Sequence, residues 1–358
     1  MARSRDAYTG NLFATESNLR VLRISRDDVL NKTDQLNLFL DQVAKHEQMY
    51  PNIVTWLKSK VLPGIKEKKR VAYIGMNNDK PVVSAVLKLG VHSKICHLHI
   101  DEGMQNTHLG DLFFSMMALD AKRGAEEVHF TLPESLWVEK SNFFRSFDFG
   151  YASKADLQYR SSEDELRCSA PFYEVWQRVL EKLPRIITSL TKTRDSIFSG
   201  ILMSIKPEYV EKIQSGEKVV EIRRRFNTKW RGCRITVYSS SPLQALHGYA
   251  TIENVSEGPP DKIWSQFGEH IGSSKEDFDA YTGCLEKIYA ITLKNYEPYV
   301  SPVSFSQLEG LLNQRDLRPP QSYLSLESNK DWARAVSVAE LLHNRFWVYR
   351  VGPEEFRV

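Results

Sequence analysis

Cysteine is scarce. The 358 residues contain four (Cys96, Cys168, Cys233 and Cys284), widely spaced and forming no CxxC pair. That spacing excludes a disulfide framework and a thiol-based zinc site, and predicts reduced thiols in a cytoplasmic protein. Long apolar runs are also missing, since none approaches the ~20 residues of a membrane-spanning helix. The opening MARSRDAYTG has no apolar stretch of the kind that drives secretion. The expectation is a cytosolic chain without a membrane partner. There is no internal repeat, no long low-complexity tract and no marked excess of one charge: 48 Lys and Arg face 45 Asp and Glu, a net +3. A generally polycationic or polyanionic protein is thereby excluded.

The length exceeds that of a usual single domain, so two domains are expected. A hydrophobic fraction of 42% is enough to build their cores. The charge is uneven along the chain. Between Ser204 and Arg234 there are nine Lys or Arg against four Glu and no Asp, which suggests a phosphate-bearing partner or a solvated basic face. Within that region SGEKVVEIRRRF (215–226) passes from a polar turn into a β-branched run. With period 2, Val220, Ile222 and Phe226 share one face, interrupted by Arg224, and Val219, Glu221, Arg223 and Arg225 share the other. The polar face either lines a cleft or carries cross-strand ion pairs in solvent.

Periodicity in the amino-terminal half predicts a strand over 20–24 and a helix over 33–60. A hairpin over 71–74 and 82–89 turns at Asn77-Asn78-Asp79-Lys80. A strand over 95–100, a long helix over 107–123, a strand over 128–132 and a short helix over 141–147 follow. Cys96, His97, His99 and Asp101 stand close together, the last three on one strand face. A metal site needs further ligands that the sequence does not supply, and no metal is expected. Phe113, Phe114, Met116 and Met117 read as helix core.

The segment HIDEGMQNTHLGDLFFSMMALDAKRGAEEVHFTL (99–132) resembles the cofactor-binding core of the GNAT acyltransferases, in which a strand, a Gln/Arg-x-x-Gly-x-Gly/Ala loop and a long helix follow one another. Gln105-Asn106-Thr107-His108-Leu109-Gly110 matches the loop with His108 in place of the first glycine, and NFFRSFDFG (142–150) is similar to the family's closing segment. The resemblance implies a mixed α/β domain over 19–170 that binds acetyl-CoA. The pyrophosphate would lie on residues Gln105 to Asp111 at the helix N-terminus, and Glu102 or His99 would act as general base. Two further positions depart from the pattern: Phe144 stands where the family has a proton-donating tyrosine, and Asp148 replaces a glycine.

After residues 170–190, which are helical in pattern but contain Pro184, and the polar TKTRDS, a second domain opens at Ile201. Its helix over 207–214 stops at Ser215-Gly216. Gly216-Glu217-Lys218-Val219-Val220-Glu221-Ile222-Arg223 then fits Gly-x-Lys-x-x-Glu-x-Arg, the signature of ASCH domains, which are small β-barrels similar to PUA domains. The likeness continues through GCRITVYSSSPLQALHGYATIENV and DFDAYTGCLEKIYAITL to RPPQSYLSL. It implies a nucleotide- or nucleic-acid-binding cleft ringed by Lys218, Glu221, Arg223 and Arg225, with Tyr238 or Trp264 as a stacking surface. Some ASCH proteins hydrolyse acetylcytidine with the motif lysine. Here Glu221 stands where they carry a threonine, and a neighbouring carboxylate holds a lysine charged.

The fold expected is α+β: a loose arm over 1–18, a GNAT-like mixed α/β domain over 19–170, a helical connector over 171–197, an ASCH/PUA-like β-barrel over 198–327 and an extension over 328–358 without an assigned role. The expected function is acetyl-CoA-dependent N-acetyl transfer, with RNA, DNA or a nucleotide held by the second domain. The alternatives are a non-enzymatic nucleic-acid-binding regulator that senses acetyl-CoA, and an amidohydrolase centred on Lys218 and Glu221.

Overall fold

The computed structural model describes residues 19–48, 50–155, 163–190, 200–314 and 317–343. The expected arm over 1–18 and the end of the extension, 344–358, lie outside them. Two compact units divide between Ile186 and Ile187.

The first unit begins with β1 (Leu19–Arg23), α1 (Arg26–Asn31) and α2 (Asp34–Ala44). Ser25 and Asp28 form a reciprocal capping box that starts α1, and the Thr33 hydroxyl caps α2. Short helices α3 (Ile53–Trp56) and α4 (Leu62–Lys66) are joined through a π turn over Leu57–Val61. Then come β2 (Arg70–Asn77), β3 (Lys80–Lys88), β4 (His92–Ile100), α5 (Leu109–Ala121), β5 (Glu127–Pro133), α6 (Glu134–Arg145), β6 (Ala152–Lys154), β7 (Glu165–Pro171) and α7 (Phe172–Leu190). The sheet order is β1-β2-β3-β4-β5-β7-β6. The β2–β3 turn is the expected one: Asn78 and Asp79 both take positive φ, 46° and 68°, the conformation a two-residue hairpin requires.

Pairing is antiparallel throughout this sheet except between β4 and β5, which run parallel. Their ladder covers only His92–Lys94 against Glu127–His129. One face of the sheet is covered by Phe39, Val43, Leu57 and Val61, packed on Ala72, Ile74 and Val86. Helix α5 buries Phe113, Phe114, Met116 and Met117, as the sequence predicts. Gly75 admits that packing, because a Cβ there would stand 2.8 Å from the Phe113 ring. Asp120 of α5 is buried and is met by Arg23 Nη2 at 3.1 Å and by the Tyr73 hydroxyl. Pro184 does not divide the connector: α7 continues through it to Leu190.

The second unit contains β8 (Ile201–Ile205), α8 (Pro207–Ser215), β9 (Val220–Arg223), β10 (Arg234–Ser239), β11 (Ala245–Gly258), α9 (Pro260–Ile271), α10 (Lys275–Thr282), β12 (Ile288–Ser304), α11 (Phe305–Leu312), β13 (Tyr323–Ser325) and α12 (Lys330–His343). Its sheet order is β13-β8-β10-β11-β12-β9, with β8 and β10 parallel. Among the described residues the outer strands β13 and β9 do not pair, so the sheet is a curled half-barrel and not a closed barrel. Gly248 lets β11 and β12 approach closely, since a Cβ there would lie 2.3 Å from the Glu297 carbonyl oxygen.

The segment from 328 onward, unassigned by sequence, forms part of this unit. Helix α12 buries Trp332, Val336, Val338 and Ala339. Its Glu340, 1% exposed, is ion-paired with Arg234 of β10, 2% exposed. The Tyr299 hydroxyl donates to Glu340 Oε1 at 2.6 Å, and the Arg234 guanidinium lies 3.6 Å from the centre of the Tyr249 ring. A buried ion left without its partner costs far more than an exposed one. Glu340→Ala is therefore expected to destabilise the second unit by about 3–5 kcal/mol, measured by denaturant unfolding. A loss within the ~1 kcal/mol of an ordinary surface pair would remove this account of α12.

Candidate nucleic-acid interface

The opening GEKVVEIR stretch runs from the end of α8 into β9. Gly216 takes the left-handed conformation, φ 80°, that ends α8. Val220 and Ile222 then enter a core with Ile263, Ile271 and Phe278. Lys218 and Glu221 face the other way but are not solvated, being 3% and 6% exposed. The Lys218 ammonium donates to the carbonyl oxygens of Val220 at 2.8 Å and Ile271 at 2.7 Å, and lies 3.1 Å from Glu221 Oε2. Ile271 ends α9, so the cation also sits at the negative end of that helix. Glu221 Oε1 is met by Arg223 Nη2 at 2.9 Å, and the same Nη2 donates to the Ser204 carbonyl at 2.7 Å. Burial alone would raise the Glu221 carboxyl, but the Lys218 and Arg223 charges outweigh it and hold the group below the usual carboxylate range.

These groups form one wall of a cavity of about 720 Å³. It opens at the ends of the parallel strands β8 and β10 and at the start of α8. Ser204, Glu208, Tyr209, Ser240, Asp277 and Tyr281 are among the other polar residues that line it. Burial, helped by Glu208, Asp277 and Glu221, raises the Tyr209 phenol and keeps it protonated at neutral pH. Arg223 Nε is buried without a hydrogen-bond partner among the described residues.

Four sequence expectations need correction. Lys218 is not an available nucleophile, because its three donor positions are met by two carbonyls and a carboxylate. Arg225 does not line the cavity. β9 ends at Arg223, the period-2 alternation ends with it, and Arg225 is exposed in the bend that follows. It is Arg224 that reaches the rim, donating to the Tyr281 carbonyl at 2.7 Å with its guanidinium 4.6 Å from the Tyr281 ring. Tyr238 cannot stack on a ligand, being fully buried edge-on to Trp332 of α12. Trp264 lines a separate open hollow beside Lys275 and packs on Phe278. Tyr209 and Tyr281 were missed. Their signal, an aromatic early in the helix before the motif and one in DFDAYTG, is weak without the fold.

In the first unit the Gln105–Asp111 loop lies as expected between β4 and α5. Gln105 Nε2 donates to the Ile100 carbonyl at 3.2 Å, Asn106 takes a positive φ of 59°, and the Thr107 hydroxyl donates to the Met104 carbonyl at 2.6 Å. His108 Nδ1 lies 3.2 Å from Asp111 Oδ2, and Leu109 is buried. The residues do not fit a pyrophosphate. Gly110 is covered by apolar groups: a Cβ there would meet Ile100 Cδ1 at 3.2 Å and Phe143 Cε2 at 3.3 Å. Asp111 already places an anion in the first turn of α5, paired with Lys182 Nζ at 2.6 Å.

Phe144 stacks on Trp137 (5.9 Å between ring centres) and packs on Phe130 at 4.7 Å, and it carries no transferable proton. Glu102 is exposed in a short turn. His99 belongs to a cluster instead, with its ring 3.8 Å from that of His46 and Nε2 3.4 Å from Asp101 Oδ1. His97 Nε2 lies 2.8 Å from the Ser84 hydroxyl, and burial pushes His97 down to about 3. Among the described residues, no group of three or more His, Cys, Asp or Glu is placed to hold a metal ion, and no helix is long and apolar enough to cross a membrane.

A family model described as a domain of unknown function (DUF365) matches residues 198–309. The chain is 31% identical over 121 residues to a protein of Zymomonas mobilis subsp. mobilis named an ASCH domain-containing ribonuclease, covering 34% of this chain and 80% of that relative. The chain belongs to the ASCH family. A crystal structure of an ASCH protein from Zymomonas mobilis aligns with 28% identity over 39% of this chain and 95% of its own, with a TM-score of 0.35. A GNAT-family structure from Desulfovibrio desulfuricans aligns with 12% identity over 43% of this chain and 99% of its own, with a TM-score of 0.32. The match to the Zymomonas relative makes the second unit the ASCH unit of this chain.

The buried charges make the two units differ in acid. His97 is neutral in the folded state and takes up a proton in the unfolded one as pH falls below 6.5, so the first unit should lose stability progressively between 6.5 and about 3. Glu221 has a lowered folded pKa, so its contribution is present above the ordinary value of 4.5 and is lost as pH falls below that. Acid unfolding followed by tryptophan fluorescence and amide exchange should show this loss in the first unit, while His247, also lowered by burial, adds a loss of the same sign to the second. Glu221→Gln should lower the neutral-pH stability of the ASCH unit and flatten its acid limb. An unchanged acid limb in that variant would contradict the assignment.

Proposed function

We propose that this protein binds single-stranded RNA through its ASCH unit, with one nucleobase entering the cavity beside Glu221 and Arg223. The observation that carries this reading is a fixed acceptor next to a fixed donor. Glu221 is held ionised and immobile by Lys218, and Arg223 is held by Ser204. An acceptor beside a donor reads the edge of a base. A phosphate is a poor occupant of the same place, because Glu221 and Asp277 both line it. Phosphates suit the rim, where Arg224 and the exposed Lys206 stand, and the Tyr281 ring offers a stacking face. RNA is favoured over DNA by the activity in the name of the Zymomonas relative.

Acetyl transfer from acetyl-CoA, suggested by the GNAT-like fold, is not part of this reading, since the Gln105–Asp111 loop already carries an internal anion. Hydrolysis of acetylcytidine by Lys218 requires a free amine, and that amine is fully bonded. RNA cleavage is the second reading, after the relative's name. Tyr209, kept protonated on the cavity wall, is a group able to give a proton to a leaving oxygen.

Fluorescence anisotropy with labelled RNA and DNA oligonucleotides tests the proposal. RNA should bind more tightly than DNA of the same sequence, and affinity should fall linearly with the logarithm of salt. Tyr281→Ala should cost about 1–3 kcal/mol of binding. Arg224→Ala should weaken binding and reduce the salt slope by about 1, and Arg225→Ala should matter less. Absence of RNA binding at low salt would defeat the proposal. RNA recovered intact after prolonged incubation would defeat the second reading and leave the first standing.

A further inference from the structure

The amino-terminal end of α5 is where an acyltransferase-like fold would offer backbone N–H groups and a positive dipole end to a cofactor's pyrophosphate. In this protein that end is charged and bonded from within. Asp111 places its carboxylate in the first turn, His108 Nδ1 lies 3.2 Å from one oxygen, and Lys182 Nζ lies 2.6 Å from the other. Lys182 comes from α7. Its ammonium also donates to the Ser146 hydroxyl at 2.6 Å and stands 3.9 Å from the centre of the Phe147 ring. The glycine that would let a phosphate approach the backbone is spent on packing instead, under Ile100 and Phe143. Phe144, at the position of the expected proton donor, is a hydrocarbon ring stacked on Trp137.

We propose that the first unit keeps an acyltransferase-like fold but does not take acyl-CoA, and that Asp111 and Lys182 have replaced the cofactor as the charges at this helix end. An added pyrophosphate would meet the Asp111 carboxylate at short range, and like charges in a partly buried site repel strongly. The Lys182 ammonium is already committed to Asp111, and that of Lys140, 3.3 Å from Gln105 Oε1, is paired with Glu139 at 2.7 Å. The pair has a structural use, because it fastens α7 to the start of α5 and to the end of α6. Arg178, one turn earlier on α7, repeats the contact by pairing with Asp148 at 3.4 Å. Asp148, which replaces the family's glycine, thus belongs to the same fastening.

The test uses the full chain and two readouts. The first is calorimetric titration, with thermal melting in parallel, using acetyl-CoA and free CoA. A ligand present at about a hundred times its dissociation constant raises a melting point by several degrees. The expected result is no saturable heat and no shift in the melting of the first unit. Saturable binding of either compound to the wild type would overturn the proposal. The second readout is a double-mutant cycle with Asp111→Ala, Lys182→Met and the pair together. Each single variant should lower the melting point of the first unit, and the double variant should melt no lower than the weaker single one. Additive losses would mean that the two residues do not act on each other, and the replacement account would fall. RNA binding by the Lys182→Met variant should equal that of the wild type, which separates this result from the fate of the function proposed for the ASCH unit.

Discussion

A carboxylate taken out of water must be met by charge, and Glu221 is met twice. Lys218 holds one oxygen and Arg223 the other, while Lys218 is itself held by the last carbonyl of α9. The three ions fix where β9 lies against α9, because a slip of one residue would put the carboxylate into the apolar layer. The same constraint recurs in both units. Asp120 is met by Arg23 and Tyr73, Asp111 by Lys182, and Glu340 by Arg234 and Tyr299. Desolvating a pair is costly, so such pairs add little net stability. Their effect is on register, since any packing that separates the partners costs several kcal/mol.

This accounts for what could be read from the sequence. The β2–β3 turn, the caps of α1 and α2 and the core face of α5 depend on residues a few positions apart, and they stand where the pattern put them. So does the pairing of Lys218 with Glu221, three residues on. The partners of Arg234 and Asp111 lie 106 and 71 positions away, and no local pattern reveals them. The local count of nine basic residues against four acidic ones is misleading for the same reason. Arg234 is neutralised by α12, and Lys218 and Arg223 are committed to Glu221. Tyr238 appeared available because its cover, Trp332, is supplied by a helix with no visible role in the sequence. Arg224 and Arg225 exchanged places because period-2 reasoning was carried to Phe226, three residues past the end of a strand only four residues long.

The distribution of bonded and free donors separates the two sites chemically. At the start of α5 each charge has a partner within the chain, and the neighbouring glycine is packed under hydrocarbon. Around the ASCH cavity the arrangement is deliberately incomplete. Lys218 is saturated, yet Arg223 keeps a buried Nε without a partner, and Glu221 keeps lone pairs beyond the two contacts it makes. A buried guanidinium nitrogen without an acceptor is unfavourable by itself. It is tolerated where a ligand or water completes it.

Because the supporting bonds are already made, a ligand meeting Arg223 and Glu221 does not have to order them, and the recognition energy is not consumed in arranging the site. Lys218 belongs to the cavity wall through this bonding, its ammonium turned to the Val220 and Ile271 carbonyls and to the Glu221 carboxylate. Lys218 sets the charge and position of the carboxylate, and the carboxylate lines the cavity.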